Sequence, residues 1–176
     1  LHDQLSVGDL LEARAPAGGF IVDAAERRPL VLISAGVGIT PMLAMLHHVV
    51  YEGLRTRRMR QTWFLHSART AAERPFDTEL AALGKLGNGA IQVIRTLSQP
   101  ESSAVKGVDY DYEGRLGVDL LQAVLPFGDF DFYLCGPGAF TQDLYDGLRA
   151  LRVPDDRLHA EAFGPSTLRR SSDPGQ

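Results

Sequence analysis

The sequence predicts an α/β domain built on a doubly wound, five-stranded parallel sheet with helices on both faces. Three observations predict it. Apolar runs of strand length alternate with amphipathic runs of helix length between Pro29 and Ala162, the signature of parallel strands joined by crossover helices. The run Leu30-Val31-Leu32-Ile33 is wholly aliphatic, as a strand buried on both faces requires. The first, second, fourth and fifth strands end in AGVGITP, HSAR, CGPG and EAFG. Right-handed crossovers bring all carboxyl ends to one edge of the sheet, where such folds bind ligands.

Residues 1–20 read as the end of some other β-structure. Val7-Gly8-Asp9 is a turn, Leu10 to Ala15 is strand-like, and Pro16-Ala17-Gly18-Gly19 breaks the chain before Phe20. After the polar connector 23–28, the first strand runs from Pro29 into Gly36-Val37-Gly38-Ile39-Thr40-Pro41. Pro41 suits the first turn of a helix, because its φ is preset and its missing N–H had no partner there. That helix is expected from Thr40 to Glu52, with Met42, Leu43, Met45, Leu46, Val49 and Val50 facing inward and Gly53 as C-cap. Arg55, Arg57, Arg58 and Arg60 then read as a solvated loop. The second strand is Gln61 to His66, and a second helix is expected from Pro75 to Leu86 with Phe76, Leu80 and Leu83 inward. Ala90 to Leu97 is the third strand, and 98–115 is a long polar loop of the kind that is often functional. A short helix over Val118 to Val124, a fourth strand over Asp131 to Cys135, a helix carrying Phe140, Leu144, Leu148 and Leu151, and a fifth strand over Leu158 to Ala162 complete the pattern.

Gly36 and Gly38 stand where a strand turns into a helix. A bare backbone there lets an anion approach the amides of a helix N-terminus. The spacing departs from G-x-G-x-x-G, because Pro41 fills the third glycine position. The turn is therefore a pyrophosphate cradle only in company with the other strand ends.

Composition excludes several classes. A net charge of −4 offers no basic excess for nucleic acid. No apolar run approaches the ~20 residues that cross a bilayer, and no secretory signal opens the chain, so a cytoplasmic location is expected. The single cysteine, Cys135, excludes an internal disulfide and a cysteine-ligated cluster within the chain. His47 and His48 diverge by about 100° on their helix, the other histidines are dispersed, and no metal site is expected.

Together AGVGITPM (35–42), FYLCGP (132–137) and Glu161-x-Phe163-Gly164-Pro165 resemble the nicotinamide-binding half of the ferredoxin–NADP⁺ reductase family. Within it the strongest likeness is to the reductase part of the flavohaemoglobins, the nitric oxide dioxygenases. LISAGVGITPMLAML, Trp63-Phe64, Lys106-Gly107 and His159 carry that likeness, which runs from Leu1-His2-Asp3 to Pro165. The resemblance implies a Rossmann-like domain over 23–165. It makes residues 1–22 the last strand of an FAD-binding β-barrel that is otherwise outside this chain. Residues 166–176 become a tail or linker, which would suit a [2Fe–2S] domain, while a globin is the other implied electron acceptor. The implied cofactors are NADPH or NADH, and FAD held mainly by the barrel.

The resemblance also assigns residues. Gly36, Val37, Gly38, Ile39, Thr40 and Pro41 would hold the pyrophosphate, with Thr40 also near the nicotinamide. Cys135, Gly136 and Pro137 would frame the nicotinamide, the Cys135 sulfur beside its reacting carbon. Glu161 would sit at the flavin–nicotinamide contact and Phe163 would cover the flavin. His66, Ser67 and Arg69 end the strand where an acid usually binds the ribose 2′-hydroxyl. An arginine and a hydroxyl there fit a 2′-phosphate instead, which leans toward NADPH. The expected activity is hydride transfer from reduced nicotinamide to flavin N5, followed by one-electron transfer to an iron–sulfur or haem acceptor. A non-enzymatic module that senses the nucleotide is the alternative. A self-contained dehydrogenase would need a proton-transfer pair such as Tyr/Lys, and none is evident.

Overall fold

Six parallel strands form one sheet: β1 (Leu30–Ala35), β2 (Thr62–Ala68), β3 (Ile91–Leu97), β4 (Tyr112–Glu113), β5 (Asp131–Pro137) and β6 (Leu158–Phe163). Their spatial order is β4-β3-β2-β1-β5-β6. Helices α1 (Ile39–Thr56), α2 (Asp77–Leu86), α3 (Val118–Val124) and α4 (Gly138–Ala150) lie between them. The computed structural model describes residues 6–15, 17–163 and 167–171. Expectations resting on Leu1-His2-Asp3, Pro16, Gly164, Pro165, Ser166 and residues 172–176 fall outside the described residues.

The aliphatic first strand supplies both halves of the core, because successive side chains point to opposite faces. Leu30 and Leu32 pack with Met42, Leu46 and Val50 of α1 and with Leu80 and Leu83 of α2. Val31 and Ile33 pack with Leu121 of α3 and with Leu144, Tyr145 and Leu148 of α4. The chain leaves β1 in one direction through β2, β3 and β4 and returns to the other side for β5 and β6. The reversal between β1 and β5 opens a crevice at their carboxyl ends, the position where doubly wound sheets take ligands.

Five of the strands lie where the sequence places them, and the sixth is a correction. Tyr112–Glu113 sits inside the expected 98–115 loop and pairs with Thr96 and Leu97 at the sheet edge. Two residues carry no periodicity, so pattern reading cannot find them. The first helix runs to Thr56, past Gly53, and its C-cap is Arg57 in the left-handed region (φ 57°). Met59 folds back over Gly53, its sulfur 2.5 Å from where a Cβ would stand. Phe76 does not face inward: it precedes α2 at φ 66° and is 42% exposed. Leu151 lies past the end of α4 and is exposed as well. Leu10 to Ala15 is exposed and forms no strand, since among the described residues it has no neighbour to ladder with.

Arg60 is not solvated either. Its guanidinium is 2% exposed and spans the amino edge of the sheet. It donates to the Arg28 carbonyl (2.7 Å), the Asp23 carbonyl (2.7 Å) and Asp131 Oδ2 (2.6 Å). Arg28 donates to the other Asp131 oxygen (2.7 Å). The connector 23–28 is thereby fastened across the amino ends of β1 and β5. Residues 20–22 are part of the same body: Val22 is buried, Phe20 packs beside Tyr133, and the Tyr133 hydroxyl donates to the Ile21 carbonyl (3.0 Å).

The described part of the tail is docked. Gln142 exchanges two hydrogen bonds with the backbone of Arg169 (3.0 and 2.9 Å). The Ser171 N–H donates to the Tyr145 hydroxyl (3.0 Å), which donates to Asp155 (2.5 Å). Leu168 packs on the α3–α4 side of the core. Thr167–Ser171 thus lies along α4 rather than projecting as a linker.

Candidate functional site

At the carboxyl end of β1 the chain enters a single turn of 3₁₀ helix, Gly36–Gly38, which runs straight into α1. Gly36 takes φ +55°, a conformation costly to any residue with a Cβ. It fronts a cleft, and a Cβ built on it meets no atom within 4 Å. Gly38 is bare for a different reason. A Cβ there would lie 2.1 Å from the Cys135 carbonyl oxygen and 2.9 Å from the Gly136 nitrogen. Only glycine lets the turn press against β5. No side chain caps the start of α1. The Thr40 hydroxyl donates backward to the Val37 carbonyl (3.0 Å), and the Ile39 N–H donates to the Gly36 and Val37 carbonyls. A bare turn that leads into a helix stands at the positive end of the helix dipole.

The cleft has a volume of about 410 Å³ and is lined by Ala35, Gly36, Ser67, Arg69, Pro137 and Phe140, among others. Four residues expected from the sequence meet here: Gly36, Ser67, Arg69 and Pro137. Val37 and Thr40 are exposed beside it, Pro41 is half-buried, and Ile39 and Gly38 are buried under the turn. Ser98, Arg115, Leu116 and Phe140, which line the same cleft, were not expected from the sequence, and Glu73 lines it too. Glu73 was visible only as an acid four residues after Arg69. Arg115 is brought in by the edge strand that the sequence did not show.

His66 does not reach the cleft. It is fully buried on the α1–α2 side of β2, its Nδ1 2.9 Å from Ser34 Oγ and its Nε2 without a partner among the described residues. Its inward position follows from strand alternation, which sends Ser67 to the cleft side and His66 to the other. Burial is the main force pushing its pKa down to about 4, and nearby Arg74 adds to it. The unfolded imidazole titrates near 6.5, so between 6.5 and 4 the unfolded chain binds more protons. Stability should therefore fall as pH drops through that window, by up to about 3 kcal/mol in total. Urea unfolding at pH 7 and pH 4.5 should show this loss, and His66→Gln should flatten it. An unchanged pH slope in the variant would refute the assignment.

On the α1 side of the same strand ends, Cys135 pairs with Glu161 and Pro137 with Phe163 across β5 and β6. Cys135 is buried. Desolvation, with the negative charge of Glu161 behind it, pushes the thiol up to about 11. A neutral thiol at physiological pH packs as a soft apolar group and is not a nucleophile. Glu161 is exposed, and Phe163 is 42% exposed.

Electrostatics differ from the expectation at Arg69. Its guanidinium is closed on Glu73, Nε to Oε2 (3.1 Å) and Nη2 to Oε1 (2.8 Å). Immediately after it, the N–H groups of Ala71 and Ala72 donate to the Glu101 carboxylate (3.1 and 3.3 Å). The Ala71 bond in particular holds that carboxyl below its usual range. Arg115 is exposed and 3.9 Å from Asp143. Among the described residues no helix is long and apolar enough to cross a membrane.

Residues 32–146 match the family model described as the oxidoreductase NAD-binding domain. Similar curated proteins include the flavohemoprotein of Bordetella pertussis, 36% identical over 164 residues, covering 93% of this chain and 40% of the relative. That of Chromobacterium violaceum is 38% identical over 164 residues, with 93% and 39% covered. The chain thus spans about 40% of the length of these relatives. Among solved structures, the flavohem-like FAD/NAD-binding domain of nitric oxide dioxygenase from Vibrio cholerae superposes with a TM-score of 0.74 at 35% identity. It covers 93% of this chain and 62% of that one. The flavohemoglobin of Malassezia yamatoensis, solved with FAD and heme, gives a TM-score of 0.62 at 28% identity, with 82% and 33% covered. With its crevice at the topological switch point and most of its length matched, the chain belongs to the oxidoreductase NAD-binding domain family.

Proposed function

We propose that this chain is the nicotinamide-nucleotide-binding part of a flavin-dependent reductase. The observation that carries the reading is the left-handed, bare Gly36 in a cleft where the carboxyl ends of β1, β2 and β5 meet. A bare left-handed glycine facing open space fits a pyrophosphate, whose oxygens need close backbone and no intervening side chain. Ser67, Arg69 and Arg115 would hold the adenosine half on the cleft side. Cys135, Gly136 and Pro137 would seat the nicotinamide half at the sheet edge. When bound, reduced nicotinamide supplies a hydride to FAD N5, from which single electrons pass to a haem or iron–sulfur acceptor.

The chain's own contribution is positioning. The ladder pairs Cys135–Glu161 and Pro137–Phe163 fix the floor and the aromatic wall relative to each other. A neutral, desolvated thiol excludes water beside the reacting carbon without competing for it. Glu161 and Phe163 stand exposed beside it, and we assign them to the boundary with a flavin held by a separate barrel domain. A globin or an iron–sulfur domain is the partner class that such an electron path requires. The relatives named flavohemoprotein favour the globin.

Gly36→Asn tests the cradle. Asparagine tolerates the left-handed region, so the fold should survive, with a melting temperature within a few degrees of the parent. Its side chain would fill the space before the turn and weaken NADH binding at least about tenfold by isothermal titration calorimetry. Unaltered affinity in a folded variant would overturn the cradle. Cytochrome c reduction by the chain alone should be negligible and should rise on addition of an FAD-loaded barrel domain.

A further inference from the structure

The two devices past β2 that could accept a phosphate are both filled by carboxylates of the chain itself. Arg69 is the fork-shaped donor, and Glu73 already occupies its Nε–Nη2 edge at 3.1 and 2.8 Å, so that only the outer Nη edge faces solvent. The paired amides of Ala71 and Ala72 form the second device, and Glu101 occupies them. The turn carrying Glu73 is pinned on both sides. Its own one-turn helix, Ala71–Glu73, is held at its start by Glu101. The strand end before it is tied by the Ser98 N–H to the Ala68 carbonyl (3.0 Å) and the Gln99 N–H to the Arg69 carbonyl (2.8 Å). The backbone that carries Glu73 is therefore fixed beside the cleft, and its carboxylate lines the wall.

Resting on the reading of this cleft as a nicotinamide-nucleotide site, we propose that it selects the dinucleotide lacking a 2′-phosphate, NADH over NADPH. Glu73 is the specificity-determining residue. A 2′-phosphate carries close to two negative charges at neutral pH. To use Arg69 it must either displace Glu73 or take the outer Nη edge with the Glu73 carboxylate still beside it, and either way it meets a negative charge on the same guanidinium. A ribose 2′-hydroxyl meets no such penalty. It can donate to the Glu73 carboxylate, the role an acid plays at the end of this strand in doubly wound folds, while Arg69 stays paired. Discrimination arises from repulsion of the wrong ligand as much as from attraction of the right one. The arginine that suggests phosphate binding in the sequence is masked by the acid four residues on.

Calorimetric titration of the full chain with NADH and with NADPH tests this. The wild type should bind NADH at least about tenfold more tightly, the scale of one charge-assisted contact. Glu73→Gln should tighten NADPH binding about tenfold and weaken NADH binding severalfold, so that the preference is lost or reversed. Adding Arg69→Ala to that variant should abolish the gain. Equal affinities in the wild type, a preference for NADPH, or a Glu73→Gln variant with unchanged selectivity would overturn the inference and leave the nucleotide site standing. Failure of both nucleotides to bind the wild type would overturn the nucleotide-site reading instead, and this inference with it.

Discussion

Asp131→Ala is expected to lower the unfolding free energy by about 3–5 kcal/mol, the cost of leaving a buried charge without its partner. Asp131 opens β5 and is 8% exposed, and the Arg60 guanidinium it neutralises is 2% exposed. Removing the carboxylate strands that cation among the Arg28 and Asp23 carbonyls, which satisfy its N–H groups but not its charge. The same substitution frees Arg28 and with it the connector that crosses the amino edge. Urea midpoints measure the loss. The double variant Arg60→Met/Asp131→Leu should recover much of it, because neither charge then remains to be solvated. A single-variant loss below about 1 kcal/mol would mean that the charge relaxes to solvent and the staple is unimportant. NADH affinity of the folded fraction should hardly change, since the pair lies at the end of the sheet opposite the cleft.

Gly38→Ala should be nearly as damaging, and through packing alone. Its Cβ would stand 2.1 Å from the Cys135 carbonyl oxygen and 2.5 Å from the carbonyl carbon. Both belong to the backbone of β5, which is laddered to β1 on one side and β6 on the other. The strand cannot yield, so the turn and the start of α1 must. We expect about 3 kcal/mol of destabilisation or more, a fall in melting temperature of roughly 10 °C, and loss of NADH binding together. A variant melting like the parent would show that the turn moves freely and that the close approach is not required. Set beside Gly36→Asn, which should lose binding but keep its stability, the pair separates the two glycines of one motif. One is bare for the ligand and the other for the protein's own backbone.

Much of this architecture is legible in the chain because burial imposes a period. The Leu30–Ile33 run, the inward face of α1, Leu144 and Leu148 of α4, and the turn at Gly36 all sit where spacing puts them. Features without a period are not legible. Tyr112–Glu113 joins the sheet through two backbone pairings at its edge, and nothing in its side chains requires that. Gly53 looks like a helix stop, yet the helix continues, because Met59 rather than a turn occupies the space beside it. Arg60 looks like its solvated neighbours until the fold places Asp131, seventy-one residues away, against it.

The site divides along the same line. By itself the sequence determined which segments end at the carboxyl edge of the sheet: the glycine turn, Ser67 and Arg69, Cys135-Gly136-Pro137, Glu161 and Phe163. These follow from local order, since a parallel sheet delivers every strand end to one edge. Only the tertiary structure decided which of them face the cleft and in what electrical state. It turned His66 inward and set Arg115 and Phe140 at the cleft wall. It also closed Arg69 onto Glu73. Charge pairing and burial depend on distances that sequence order does not specify.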